Sequence, residues 1–289
     1  MRSTLSVWVQ YLLPQRLLAA LVYHVARCTW PLVKNPLIRW FANHYRVDLD
    51  EVEQPDLSAY PSFNDFFTRA LQRDARPMAG DDHTIVSPAD GYLTDFGTTA
   101  AGRLIQAKGI DYRLDELLDE PPDGAVNLVL GSFATIYLAP HNYHRVHMPL
   151  AGTLKRTRYV PGRRFSVNGP TVRGIPRLFC RNERVVCWFD TVVGPMVMVL
   201  VGALNVASIS TRWLGEIPSG KRRLWQDSGT PQRRYGRGDE IARFNLGSTV
   251  IVLLPPAALI WDEALCAEGP LRIGQPLGRT RASGAGSLT

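Results

Sequence analysis

Lysine is scarce in this 289-residue chain. Lys34, Lys108, Lys155 and Lys221 are the whole supply, and arginine carries the rest of the positive charge. None of the lysines stands in a recognisable cofactor motif, so PLP chemistry, which needs such a lysine, finds no seat. Cysteine is equally sparse: Cys28, Cys180, Cys187 and Cys266 show no CxxC spacing. They fit reduced, mostly buried thiols of a cytosolic compartment. Cys180 and Cys187 lie near enough to be neighbours across a hairpin, which does not establish a disulfide. Long apolar runs are missing too. The longest early stretch, Leu17 to Tyr23, is bounded by Arg16 and His24 and falls far short of the ~20 residues a spanning helix needs. No cleavable signal is expected, because positive charge is scattered, Pro14 interrupts, and no small-residue cleavage site follows an apolar run. No repeat of about 20–50 residues stands out.

What is present bounds the rest. A hydrophobic content of 45% allows one large domain, or one with a smaller appendage. The formal net charge of +7 and pI of about 9.4 favour an anionic partner, nucleic acid or anionic lipid. The high Arg:Lys ratio also follows from genome base composition, so arginine's grip on phosphate carries little weight here.

The expected fold is α+β: N-terminal amphipathic helices, then a mainly β, barrel- or sandwich-like core. Residues 1–76 read as helical, with Leu5, Trp8, Val9 and Leu12 on one face. Leu17, Leu18, Leu21, Val22 and Val25 form another, and Leu37, Trp40, Phe41 and Tyr45 continue the pattern. Ser62 is an expected N-cap for Phe63, Phe66, Phe67 and Ala70. Trp, Tyr, Arg and Leu together suit a helix lying in a membrane interface; helices packed on the core explain them as well. From about residue 83 short β-like runs take over, namely 127–130, 134–138, 184–189, 196–201 and 249–254. They belong to a catalytic region expected over 77–282. Ser, Gly and Ala in the tail from Arg279 predict disorder, with residues 283–289 a flexible end.

Three strings carry potential chemistry. Ser87-Pro-Ala-Asp90-Gly91 holds Asp90 in a bend at a strand end, which on its own is a common turn. His141-Asn-Tyr-His144-Arg-Val-His147 gathers half of the six histidines. On a helix this spacing would suggest a metal site, but prolines flank it and no Cys or acidic residue lies inside. Structural and acid–base histidines are the other readings. Leu246-Gly247-Ser248-Thr249 enters a β-branched run. It is not a nucleophile elbow, because G-x-S-x-G would need glycine at 246 and 250. Asp90, His147 and Ser248 are together the inventory of an oriented histidine activating a serine.

The chain resembles the bacterial phosphatidylserine decarboxylase proenzymes nearly end to end. The matching strings begin with Gln10-Tyr-Leu-Leu-Pro14, Phe63-Asn-Asp-Phe-Phe67, Pro88-Ala-Asp-Gly91 and Gln106-Ala-Lys-Gly109. They continue with Tyr143-His-Arg-Val-His-Met-Pro149, Tyr159-Val-Pro-Gly162, Phe165-Ser-Val-Asn168, Arg181-Asn-Glu-Arg184 and Leu246-Gly-Ser-Thr249. Arg163-Arg164 departs from the pattern with more positive charge than expected.

The resemblance implies self-cleavage at Gly247-Ser248 by serinolysis, with His147 as base and Asp90 orienting it. The products would be a β chain, 1–247, and an α chain, 248–289, with residue 248 converted to a covalently bound pyruvoyl group. Through a Schiff base on that group, phosphatidylserine would become phosphatidylethanolamine and CO2, with His144 reprotonating the carbanion. Neither metal nor PLP is implied. Gly247 suits the cut, because a residue without Cβ leaves its carbonyl open and tolerates strain. The implied setting is the bacterial cell membrane, peripheral on its cytoplasmic side, where anionic lipid attracts positive charge. Pairing of the αβ units into a homodimer is a further expectation, and nucleic acid is not an expected partner. Arg16, Arg27 and Arg39 serve equally as phosphate contacts or solvated charges. Two rivals remain from the residues themselves: a serine hydrolase using the same three residues on an external ester, and a basic docking protein without chemistry.

Overall fold

The run Ser248–Leu254 contains three β-branched residues besides Thr249 and two leucines, and all seven of its residues are buried. A strand apolar on both faces belongs in the middle of a covered sheet, and there it lies. In the computed structural model the described residues are 15–99, 103–106, 110–120, 128–167, 171, 174–203, 208–217, 223–226 and 233–281. Among them, Ser248–Leu254 is flanked by the antiparallel strands Gly194–Gly202 and Ser132–Leu138. Outward on one side follow Arg184–Thr191, Gly152–Val160 and Arg223–Gln226; on the other follow Gly91–Thr98 and Gly269–Leu271. Arg234–Tyr235 pairs with Gly152–Val160 and completes nine strands.

Smaller antiparallel sheets support this one. One has the order Gly215–Ile217, Ser208–Thr211, Glu240–Asn245, Arg145–His147. Another joins Thr84–Val86, Pro276–Thr280 and Leu259–Trp261, and a third is the pair Arg103–Gln106 and Ile110–Arg113. The fold is thus α+β with a sheet-rich core, as expected, although the described strands form open sheets and not a closed barrel.

Helix α1 spans Gln15–Ala26, α2 Pro31–Tyr45 and α3 Phe63–Phe67. Pro31 opens α2, where a missing N–H costs nothing. Ser62 caps α3 as read from the sequence, its hydroxyl accepting from the Asp65 N–H at 3.3 Å. These helices build a second apolar cluster from Ala26, Ile38, Phe41, Phe63, Phe66 and Phe67 among others. Leu246 joins it from the far end of the chain. The first expected helical face, Leu5 to Leu12, lies outside the described residues.

Three local expectations fail. Leu128–Leu130 forms a turn, not a strand, with Leu130 at φ 63°. Arg279 and Thr280 are not in a disordered tail but end the strand Pro276–Thr280, paired with Thr84 and Leu259; residues 282–289 lie outside the described residues. Residues 46–62 and 68–76, read as part of the helical region, form turns and irregular backbone with an isolated bridge between Val52 and Leu71. In the histidine string, where only a helix would have favoured metal, Arg145–His147 is a strand held by Glu240–Asn245. All four cysteines are free.

Candidate active site

Ser248 is the first residue of the central strand, opposite Leu138 on one side and Gly202 on the other, and is fully buried. Its Oγ has no hydrogen-bond partner, an unusual state for a buried hydroxyl. The backbone entering it is strained. Leu246 has φ 97° and Gly247 φ 46°, two successive residues outside the ordinary L-residue region. For a leucine this costs on the order of 1–3 kcal/mol. At Gly247 the reason for glycine is the angle rather than space, since an added Cβ would meet only the Ala203 Cβ, at 3.8 Å. The Leu246 side chain is buried in the helical cluster, so the Gly247-Ser248 bond bridges the two apolar cores.

The two histidines three residues apart keep different company. His144 is fully buried, its ring 4.0 Å from that of Phe67 and its carbonyl accepting from the Phe244 N–H at 3.0 Å. Its Nδ1 lies 2.8 Å from the Asn142 carbonyl. A carbonyl only accepts, so Nδ1 carries the proton and Nε2 keeps its lone pair. That Nε2 has no partner. Burial, with the Arg69 charge second, lowers the His144 pKa to about 3, and the ring is neutral at physiological pH.

His147 is fixed by the same logic. Its Nδ1 donates to the Gly238 carbonyl at 2.7 Å, and its Nε2 lies 3.3 Å from the Tyr143 hydroxyl, which donates to it. Burial lowers its pKa as well, against the opposing pull of the Gly238 hydrogen bond. Gly238 has φ 85°, and a Cβ there would meet the Met78 sulfur at 2.9 Å. Glycine is therefore needed to aim this carbonyl.

Asp90 is buried and its bend touches His147 through the backbone, the His147 N–H donating to the Pro88 carbonyl at 2.8 Å. The carboxylate, however, faces elsewhere. Arg76 Nε donates to both oxygens at 3.0 Å, Arg76 Nη2 to Oδ2 at 2.7 Å, and the Ile273 N–H to Oδ1 at 2.8 Å. Arg76 also pairs with Glu51 at 2.8 Å, and Glu51 with Arg272 at 2.7 Å. The hydrogen bond by which Asp90 was expected to orient His147 is not made; the Gly238 carbonyl has that place. The physical reason is competition, since a guanidinium offers a carboxylate a stronger, multidentate partner than a neutral imidazole does.

The sequence model of the family Phosphatidylserine decarboxylase matches residues 63–279, and a second, described as PSD, matches residues 5–46. The chain belongs to the phosphatidylserine decarboxylase family. It is 49% identical over 285 residues to the phosphatidylserine decarboxylase proenzyme of Ectopseudomonas mendocina strain ymp, covering 97% of this chain and all (100%) of that protein. It is 48% identical to the proenzyme of Pseudomonas fluorescens strain Pf-5, over 96% of this chain and 98% of that one. Against the proenzyme of Pseudomonas aeruginosa strain LESB58 the identity is 47%, over 98% and 99%.

Within this phosphatidylserine decarboxylase framework the extra charge at Arg163-Arg164 finds a use. Arg164 pairs at 3.0 Å with Glu183, a member of the Arg181-Asn-Glu-Arg184 string. Arg27 is not a free phosphate contact, being paired with Glu216 at 2.6 Å. The residues that reading the sequence missed are Arg76, Gly238 and the role of Tyr143. Tyr143 sits in a quoted family string, whereas Gly236-Arg-Gly238-Asp signals only a turn, and Arg76 had no local mark. Among the described residues no group of three or more His, Cys, Asp or Glu is placed to hold a metal ion.

Proposed function

We propose that this chain cleaves itself between Gly247 and Ser248 and then decarboxylates phosphatidylserine to phosphatidylethanolamine. The observation that carries the reading is the unpartnered Ser248 hydroxyl directly after two strained backbone positions. A hydroxyl with no competing hydrogen bond is free to attack, and opening the bond after Gly247 would let the strained backbone at Leu246 and Gly247 relax.

Ser248 Oγ attacks the Gly247 carbonyl carbon, and the C–N bond breaks to leave an ester and the free amine of residue 248. His147 Nε2, unprotonated because Nδ1 donates to Gly238 and held only by a 3.3 Å hydrogen bond from the Tyr143 hydroxyl, takes the hydroxyl proton and returns it to the leaving amine. Asp90 acts at a distance on this imidazole, its negative charge favouring the protonated form. Loss of the α proton of residue 248 expels the Gly247 carboxylate, and water then releases ammonia. Residue 248 fits the resulting pyruvoyl group. Its side-chain oxygen makes no hydrogen bond that conversion would break, and the paired strands on both sides hold its neighbours in place. That group supplies a ketone for the substrate's amine and accepts the electron pair left when CO2 departs.

His144 supplies the proton traffic. Its ring is neutral before the substrate is decarboxylated, with Nε2 bare. The negative charge that develops as CO2 leaves would favour a proton from solvent on Nε2, and burial makes that imidazolium a strong acid, ready to pass the proton to the α-carbon. The reverse assignment, His144 serving the cut, has one observation in its favour: its Nε2 and Ser248 Oγ are both buried and unpartnered. His144→Ala and His147→Ala separate the two, since only loss of the processing base leaves the chain intact.

The membrane role has support of its own kind. Leu21, Val25, Trp30, Leu32 and Trp40 are exposed on or beside α1 and α2, the surface an interfacial helix pair offers to lipid. None of the helices among the described residues is long and apolar enough to cross a bilayer. Docking would be peripheral and cytoplasmic, with β and α chains remaining together and two such units pairing. Flotation with anionic vesicles, lost in Trp30→Ser/Trp40→Ser, checks the docking.

The decisive test is a denaturing mass measurement on the recombinant protein combined with CO2 release. Two fragments, the smaller blocked at residue 248 and reactive with carbonyl reagents, are expected. A single full-length mass in a preparation that decarboxylates phosphatidylserine would sink the proposal.

A further inference from the structure

Among the described residues two arginines are buried, Arg69 and Arg184, and Arg76 is half-buried; the three are satisfied very differently. Arg184 sends its nitrogens to the carbonyls of Glu116, Leu117, Cys180 and Asn182. Arg76 is neutralised by Asp90 and Glu51. Arg69, only 3% exposed, is neither. Its Nη2 donates to the His141 carbonyl at 2.9 Å and lies 3.4 Å from that of Asn142, while Nε and Nη1 have no partner. No carboxylate pairs with it among the described residues, and its guanidinium carbon lies 5.5 Å from the centre of the Phe66 ring. A buried cation left with unmade hydrogen bonds is costly, and a fold that can satisfy Arg184 fully could do the same here.

Arg69 lines a cleft of about 500 Å³ together with Tyr60, Thr68, Arg145 and Arg243. The carboxylates of the lining, Glu53 and Asp65, are both exposed, and Asp65 is engaged by the Ser62 hydroxyl at 2.6 Å. Arg145 and Arg243 are occupied by Glu240. Arg69, on the carbonyls of His141 and Asn142, is therefore the arginine of this cleft with no carboxylate partner. We propose that Arg69 binds the phosphodiester of the lipid headgroup.

This rests on the decarboxylase reading above, which gives the substrate two anionic groups. Its carboxylate is the poorer ligand for a fixed cation. A guanidinium holding it would stabilise the ground state against a transition state in which that charge leaves, and would raise the barrier. The phosphodiester keeps its charge throughout, and arginine is the side chain best suited to it. In the substrate the phosphorus is four bonds from the reacting nitrogen. A cation beside His144 thus meets the phosphate while the amine points at residue 248.

The test compares a short-chain phosphatidylserine with its neutral phosphate methyl ester, using self-cleaved enzyme. Wild type should prefer the charged diester by roughly 10–100-fold in kcat/KM, the range of a hydrogen bond to a charged group. In Arg69→Gln that preference should collapse to near unity, and Arg69→Lys should keep part of it. A merely structural role, holding the His141 and Asn142 carbonyls, would slow both substrates alike and leave the preference standing, which overturns the proposal. If Arg69→Gln does not cleave itself, the preference is read on Arg69→Lys, and an unchanged value has the same force. Inorganic phosphate competing with the diester in wild type only would assign the pocket to phosphate generally. No competition alongside an intact wild-type preference would assign it to the headgroup. Self-cleaved wild type releasing no CO2 from either lipid would fail the decarboxylase reading instead.

Discussion

The two apolar cores of this molecule differ in composition and in task. The larger is aliphatic and sheet-built, with Val185, Val186, Val197, Val199, Val250 and Val252 stacked through neighbouring strands. The smaller is aromatic and helical, with Phe41 in edge contact with Phe63, Phe66 and Phe67. The sheet supplies a rigid seat for Ser248. The helical core holds the serine's neighbours in sequence and a member of the histidine string: Phe67 against His144, Asn64 on Asn245 at 3.3 Å, and a pocket for Leu246. The candidate site thus sits where the two cores meet, and the helices whose composition suits lipid docking also pack against its residues.

The comparison can be broken at four points, in order of expected effect. Ser248→Ala should give an uncut chain with no detectable decarboxylation, seen as one mass and no CO2. Next, Phe67→Ala should lose about 3–5 kcal/mol and Leu253→Ala, at the far end of the central strand, about 2–5 kcal/mol. The activity of the folded fraction should separate them. Decarboxylation after cutting should fall at least about tenfold in the first and hold in the second; equal activities would dissolve the division of labour. Third, Leu246→Ala should destabilise by about 2–5 kcal/mol and slow self-cleavage, read by gel densitometry after refolding. If cutting speed is unchanged, the bond needs no anchor in the helical core.

The smallest effect concerns pH. A base must be unprotonated, and burial lowers the His147 pKa. The acid limb of the self-cleavage rate should therefore lie below the ordinary histidine value of about 6.5. The Tyr143 hydroxyl donates to Nε2 of the neutral ring and so favours it. Tyr143→Phe should move the limb upward by roughly 0.4–1.1 pH units, the equivalent of one hydrogen bond of about 0.5–1.5 kcal/mol. A limb that stays put removes Tyr143 from the site.

Much of this was legible in the chain, for reasons that also explain the gaps. Strands such as Met196–Val201 announce themselves because burial on both faces demands a continuous apolar run. Ser62 is readable because a cap is a local event. The Asp90, His144, His147 and Ser248 strings are compact motifs. What fixes the histidine rings, however, is backbone carbonyl from Asn142 and from Gly238, and carbonyls carry no residue identity. The Arg76 grip on Asp90 spans fourteen positions, and nothing near either residue marks it. Leu246 hides best of all, since a leucine gives no sign of positive φ. Leu128–Leu130 misled in the opposite direction, with a strand-like composition spent on a turn.

That leucine has a consequence for the fate of the cut chain. Once the bond after Gly247 opens, residue 248 stays stitched between Leu138 and Gly202, while the new carboxylate end is carried by a side chain lodged among the helices. Leu246 is then free to leave its left-handed angle, and the two ends need never meet again. The break would work as a ratchet: relaxation of the strained backbone and hydration of the new carboxylate would both draw that end away from residue 248, leaving room where the peptide bond had been.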